Sequence, residues 1–237
     1  MINNKVCVVI GGTDAVCAWS AKEMAKNGYV TAVIDKDIDA AKRISDEICT
    51  FGGLAKAYQA YNSDYDNLRR VQDEISAEFG KCNVIVNCIQ QTEDVEGQLS
   101  NILCGIKIFV NDMINELGCS IINICPNRCI ANPRLEDAIT SMTKDMAISL
   151  AQKGIRANAI IYGAICTKTN RVEHFDEDNA PTEKTQMLIK NIPMNRLGKP
   201  EEIMGALKYL SDPIAAAYTT GTIIHIDGGY FANTNKI

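Results

Sequence analysis

Apolar runs and amphipathic stretches alternate along almost the whole chain. "KVCVVI" is a short unbroken run rich in β-branched residues, the pattern of a strand buried on both faces. "DAVCAWSAKEMAKNG" then takes helical spacing and stops at Gly28, a residue suited to a helix end. "YVTAVID" reads as a second strand, "DAAKRISDEICTFGG" as a helix closed by glycines, and "AKAYQAY" as a third strand. "YDNLRRVQDEISAEFG" places Leu68, Val71, Ile75 and Phe79 on one helical face, and "NVIVNCI" returns to strand. The second half continues in the same way. A helix is expected around Leu99 to Leu117, and "CSIINIC" is a strand. A long helix follows in "NPRLEDAITSMTKDMAISLAQKG", with Asn132 as N-cap, Pro133 at the first helical position and Gly154 as the stop. "RANAIIYG" is a strand, Lys168 to about Lys184 is polar without a strong period, "PEEIMGALKYLSD" is a helix and "GTIIHIDGG" a last strand. Strict alternation of this kind predicts an α/β fold, a doubly wound parallel sheet with helices on both faces. No repeat, low-complexity tract or linker interrupts it, so residues 1–237 are expected to form a single Rossmann-type domain.

Composition narrows the partners. The net charge is −5 and no block of Lys and Arg occurs, which argues against nucleic acid or an anionic membrane surface. No apolar stretch approaches the ~20 residues needed to span a bilayer. The start, "MINNKVCVVIGG", enters a strand without a signal-like segment, so a cytoplasmic protein is expected. Ten cysteines contain no C-x-x-C pair, and the closest spacing is Cys125 to Cys129 in "CPNRC". No metal site is expected, and thiols such as Cys7 and Cys88 lie within strand patterns as small hydrophobes.

The tail carries specific motifs. "IPMNRLGKPEEIMGALKYLSD" followed by "YTTGTIIHIDGGY", with "SLAQKGIRANAI" and "GAICT" before them, closely resembles the short-chain dehydrogenase/reductase family. The resemblance extends over the whole chain in element order. It implies NAD(P)-dependent oxidation or reduction of an alcohol or carbonyl. In that chemistry a Tyr passes the proton, a Lys lowers the Tyr pKa and holds the nicotinamide ribose, a Ser orients the carbonyl and an Asn supports a relay.

Carried over residue by residue, this catalytic set is missing. "TKDMA" matches the stretch whose Lys, here Lys144, follows the family's catalytic Lys by about eight positions. Counting back, 144 − 8 = 136 gives Glu136, and 136 − 4 = 132 gives Asn132 in the Tyr place. Taking Lys144 itself as the catalytic Lys puts Thr140 in the Tyr place and shortens the segment before "GIRANAI" by about two helical turns. No tyrosine occurs between Tyr65 and Tyr162. The strand ends in Cys125 and Pro126 where serines are usual, and the 132 − 123 = 9 positions from Asn123 to Asn132 imply that the Ser loop is deleted. Ile102 stands in the Asn place, with Asn101 one residue off, a turn of about 100° on a helix.

The cofactor side is mixed. The family's T-G-x-x-x-G-x-G maps onto Ile10, Gly11, Ala15 and Cys17, so only the first glycine is kept. By the resemblance, Gly11, Asp14, Ala15 and Val16 would line the phosphates. Asp35 would meet the adenosine ribose and Tyr61 the adenine, while Asn87, Cys88 and Thr167 would line the remainder. Asp35 reads equally as a strand-end acid, and Thr167 as a cap. A left-handed Ala15 would cost roughly 1–2 kcal/mol. Asp14 at ~4 Å from a pyrophosphate would cost about 1 to ~4 kcal/mol. The helix dipole returns only ~0.3–1 kcal/mol per charge. NAD is therefore expected to bind weakly or not at all.

Other residues leave alternatives open. His225 reads as a packed or interface histidine, and His174 as a loop histidine that is either solvated or part of a cleft. "EHFDEDNAPTEK" reads as an exposed acidic loop at the family's substrate-lid position. Asn132 and Glu136 are one turn apart, either an acid/base pair or an N-cap with a first-turn acid. Leu135, Ile139, Met142, Met146 and Leu150 form an apolar stripe flanked by Ala138, Ala147 and Ala151, which predicts a homo-oligomer, dimer or tetramer. A hetero-partner is a further option. Three functions fit: a family member without the usual hydride transfer that acts through binding or assembly, an NAD(H) oxidoreductase with another proton donor, and a non-redox enzyme using the cleft.

Overall fold

The computed structural model describes residues 5–11, 15–60, 64–114, 116, 118–127 and 130–234. Seven strands form one parallel sheet: β1 (Lys5–Ile10), β2 (Tyr29–Asp35), β3 (Ala55–Gln59), β4 (Cys82–Cys88), β5 (Cys119–Pro126), β6 (Ile155–Tyr162) and β7 (Ile223–Ile226). Their order is β3-β2-β1-β4-β5-β6-β7. The chain winds outward from β1, returns to β4 on the other side of β1, and winds outward again. Val9 pairs with Val33 on one side and Val86 on the other. The point where the winding reverses opens a crevice beyond the C-terminal ends of β1 and β4, the place where such sheets bind ligands.

The two-residue period of the strands explains the layering. Val6, Val8 and Ile10 face one side of the sheet, while Cys7 and Val9 face the other. The first side is covered by α3 (Tyr65–Phe79), α4 (Val95–Met113) and α5 (Pro133–Leu150) through Leu68, Phe109 and Ile139. The second is covered by α1 (Ala15–Lys26), α2 (Ile38–Thr50) and α8 (Glu201–Ser211) through Met24, Ile48 and Leu207. Three strands satisfy carbonyls at the C-terminal end of α8, groups that have no partner within a helix. Tyr29 Oη donates to Ser211 O at 3.1 Å, Ser120 Oγ to Leu210 O at 3.0 Å, and Arg156 Nη1 to Leu210 O at 2.8 Å.

Several boundaries differ from the periodic reading. Helix α4 starts at Val95, four residues early, because Asp94 caps it and accepts from Gly97 N at 2.9 Å. Helix α1 ends at Lys26, and Gly28 takes φ +83° beyond it. Strand β3 ends at Gln59. The expected acidic loop instead contains α6 (Arg171–His174) and α7 (Glu183–Lys190), and α9 (Tyr230–Thr234) follows β7. The stripe of α5 is no second surface: Leu135, Ile139, Met146 and Leu150 are buried against the protein's own sheet. No helix among the described residues is long and apolar enough to cross a membrane.

Candidate functional site

The phosphate loop begins at the end of β1. Gly11 has φ +81°, its N–H donates to Ile34 O at 3.0 Å, and a Cβ there would lie 2.6 Å from the Cys88 carbonyl oxygen. Gly11 is thus required by the close approach of the protein's own strands, with or without a ligand. Ala15 opens α1 and is not among the positive-φ residues, so the left-handed strain expected for it is absent. Val16 and Cys17 are buried in the core. Asp14 and Tyr61 lie outside the described residues, as does Cys129.

The remaining cofactor positions serve local structure as well. Asp35 is buried at the end of β2, and its Oδ1 accepts from Asp37 N at 2.8 Å. Asn87 is 1% exposed and donates to Asn123 Oδ1 at 2.8 Å. Asn123 in turn donates to Thr143 Oγ1 at 2.9 Å, so a buried polar chain ties β4 and β5 to α5. Cys88 is buried and is not in a disulfide. Thr167 Oγ1 accepts from Asn170 N at 3.1 Å and lies 2.9 Å from Thr169 Oγ1. Asp35, the acid expected to meet an adenosine ribose, thus stands at the C-terminal end of β2 beside the crevice. The residues expected at the catalytic positions, Asn132, Glu136 and Ile102, have local structural partners of their own.

Asn132 caps α5, its Oδ1 accepting from Arg134 N at 3.0 Å. It lines a separate cavity of about 410 Å3 with Glu93, Asp94 and Arg134. Glu136 is no exposed first-turn acid. It is 2% exposed, and its Oε1 lies 3.9 Å from His225 Nε2. The side chain at the position expected for the family's cation is thus an acid, and it is buried. Burial, and then Glu136, push the Cys125 thiol far up. His225 is packed, stacking on Phe231 with ring centroids 4.2 Å apart. Ile102 is buried in the core between α4 and the sheet. Among the described residues, no His, Cys, Asp and Glu side chains gather into a group able to hold a metal.

A cleft of about 800 Å3 opens at the C-terminal ends of β5 and β6. Pro126, from a position where serines are usual, lines it. Tyr162, Gln90, Gln91, His174 and Lys184 line it too. His174 therefore belongs to a cleft and is hydrogen-bonded, its Nδ1 3.0 Å from Thr185 Oγ1. Sequence reasoning missed Tyr162, whose strand pattern says only that it is apolar-flanked. It missed Lys184 because the Thr182 cap of α7, three residues before Thr185, was not read as a helix start.

A doubly wound parallel sheet with a crevice at its switch point defines a dinucleotide-binding class of fold. The family model for short chain dehydrogenases matches residues 5–178, and that for enoyl-(acyl carrier protein) reductases matches residues 136–231. The chain belongs to the short-chain dehydrogenase family. It is 27% identical to an uncharacterized oxidoreductase of Haemophilus influenzae, over 98% of this chain and 94% of that one. It is also 27% identical to a 7alpha-hydroxysteroid dehydrogenase of Paraclostridium sordellii, with the same coverage. A candidate D-mannonate oxidoreductase from Haemophilus, solved with bound NAD, superposes with a TM-score of 0.86 at 27% identity, covering 98% of this chain and 96% of that one.

Proposed function

We propose that this protein is a divergent member of its oxidoreductase family that binds a small polar ligand in the large cleft and lacks the usual Tyr/Lys hydride-transfer chemistry. The observation that carries this is Glu136. A buried carboxylate in the place of the cation would raise the pKa of a neighbouring proton donor where the family lowers it. Asn132 is committed to capping α5, Ile102 to the core, and Pro126 offers no hydroxyl. NAD binds weakly at most in this reading. The weakness rests on the charge of Asp14, since Ala15 is unstrained. The test is NADH consumption with a panel of carbonyl compounds, including keto acids. No rate above the protein-free control is expected.

A second reading, an NAD(H) oxidoreductase with another proton donor, is favoured by one pair of observations. Tyr162 lines the cleft, and a relative similar over almost its whole length was solved with NAD bound. NADH consumption that disappears in Tyr162→Phe would establish this reading in place of the first.

A further inference from the structure

One wall of the 800 Å3 cleft is built by α6 and α7. Its side chains form an ordered relay. Thr185 is 1% exposed, and its Oγ1 accepts from Thr182 Oγ1 at 3.1 Å. Thr182 Oγ1 accepts from Thr185 N at 3.4 Å, and Thr182 N donates to His174 O at 2.9 Å. Thr182 Oγ1 also reaches Glu173 O at 3.3 Å, and Thr185 Oγ1, with one proton and two lone pairs, stands 3.0 Å from His174 Nδ1. When Thr185 donates to Nδ1, the neutral imidazole carries its hydrogen on Nε2. Burial holds the His174 pKa below its ordinary value, with Lys184 adding to the shift and Glu173 opposing it.

Lys184 lines the same cleft and makes no hydrogen bond or ion pair among the described residues. The wall therefore presents two donors, one charged and one neutral. We infer that it is a carboxylate site: the Lys184 ammonium and the His174 Nε2–H take the carboxylate of a small polyhydroxylated ligand, and Gln90, Gln91 and Glu173 meet its hydroxyls. A carboxylate satisfies two donors at once and forms charge-assisted bonds with the ammonium. Glu173 on the same wall opposes a dianion more than a monoanion. The cleft has room for a six-carbon acid. The inference rests on the reading that the cleft binds a small polar ligand.

The test titrates D-gluconate, D-glucitol and inorganic phosphate into the full chain near neutral pH. Binding is followed through long-range proton–nitrogen correlations of the imidazole rings. The chain has two histidines, so His225→Gln assigns the spectrum. His174 is expected to show hydrogen on Nε2 in the wild type and in Thr185→Ser, and mixed tautomers in Thr185→Val. Gluconate should shift the His174 signals and bind Lys184→Gln about tenfold or more weakly, a change of about 1.4 kcal/mol or more. Glucitol should leave the ring unmoved. Equal binding of gluconate and glucitol, tighter binding of phosphate, or an unaffected Lys184→Gln would overturn the inference. NADH-dependent turnover would instead remove the non-catalytic reading and leave the carboxylate anchor standing.

Discussion

Gly11 shows how one position ties the loop to the sheet. Gly11→Ala combines a left-handed φ, costing roughly 1–2 kcal/mol, with overlap against the Cys88 carbonyl. A fall in Tm of about 2–8 °C is expected by thermal melting. Gly205, inside α8 with nothing within 4 Å of its Cβ position, is the control. Gly205→Ala should raise stability by up to about 1 kcal/mol, and equal melting of the two variants would contradict the packing argument. The catalytic positions make a second pair. On the proposed reading, Asn132→Tyr with Glu136→Lys would restore two family side chains but leave Pro126 and Ile102 in place and the Ser loop short. No NADH-dependent ketone reduction is expected from the double variant, since groups that act as a unit contribute far from additively. Adding Ile102→Asn buries an amide in the core and should cost a further ~1–3 kcal/mol. Robust reduction by the double variant would show that the remaining groups suffice.

At the level of elements, α8 is held at both ends. Its C-terminal carbonyls are taken by Tyr29, Ser120 and Arg156, and its first turn is anchored by Glu202. Arg196 grips that carboxylate with two bonds of 2.6 and 2.8 Å, and Lys199 N donates at 2.8 Å. The Arg196 hydrogen bonds draw the Glu202 pKa down to about 2, against the opposing effect of burial. A depressed carboxylate pKa means that its contribution is complete above the unfolded value and is lost as pH falls through the folded one. The Tm gap between wild type and Glu202→Gln should therefore be widest above about pH 5 and close between about pH 4.5 and 2. A gap independent of pH would show that the ion pair contributes nothing. Elements of this kind were legible where periodicity was strong: the seven strands and the core helices follow from apolar spacing. Short α6 and α7 were not, because they bury little and present no sustained apolar face. The start of α7 is marked only by the Thr182 hydroxyl cap, and Asn170 before α6 makes no side-chain cap bond.

For the whole molecule, the sheet order and the position of the crevice follow from strict alternation, and the family from its C-terminal motifs. The inward burial of Glu136 was not legible. A residue in the first turn of a helix reads as solvated until β7 is known to pack behind it with His225. The α5 stripe itself is taken up by the core, and the large apolar residue that α5 leaves exposed is Ile148. The proposal of a homo-oligomer now rests on other residues. Ile148, Ile214 and Tyr218 are 77%, 86% and 104% exposed, and the edge of β7 is half-buried. Sedimentation at micromolar concentration should show a species heavier than 25.9 kDa, and a monomer alone would contradict it. The central claim is that cofactor-driven hydride transfer has been given up in this chain, and calorimetric titration with NAD tests it most directly. If the Asp14 charge opposes a pyrophosphate by about 1–4 kcal/mol, as the sequence leads one to expect, a micromolar site weakens roughly fivefold to a thousandfold. The account predicts a Kd of about ten micromolar or weaker for the wild type, tightening in Asp14→Ser. Low-micromolar binding by the wild type would contradict it.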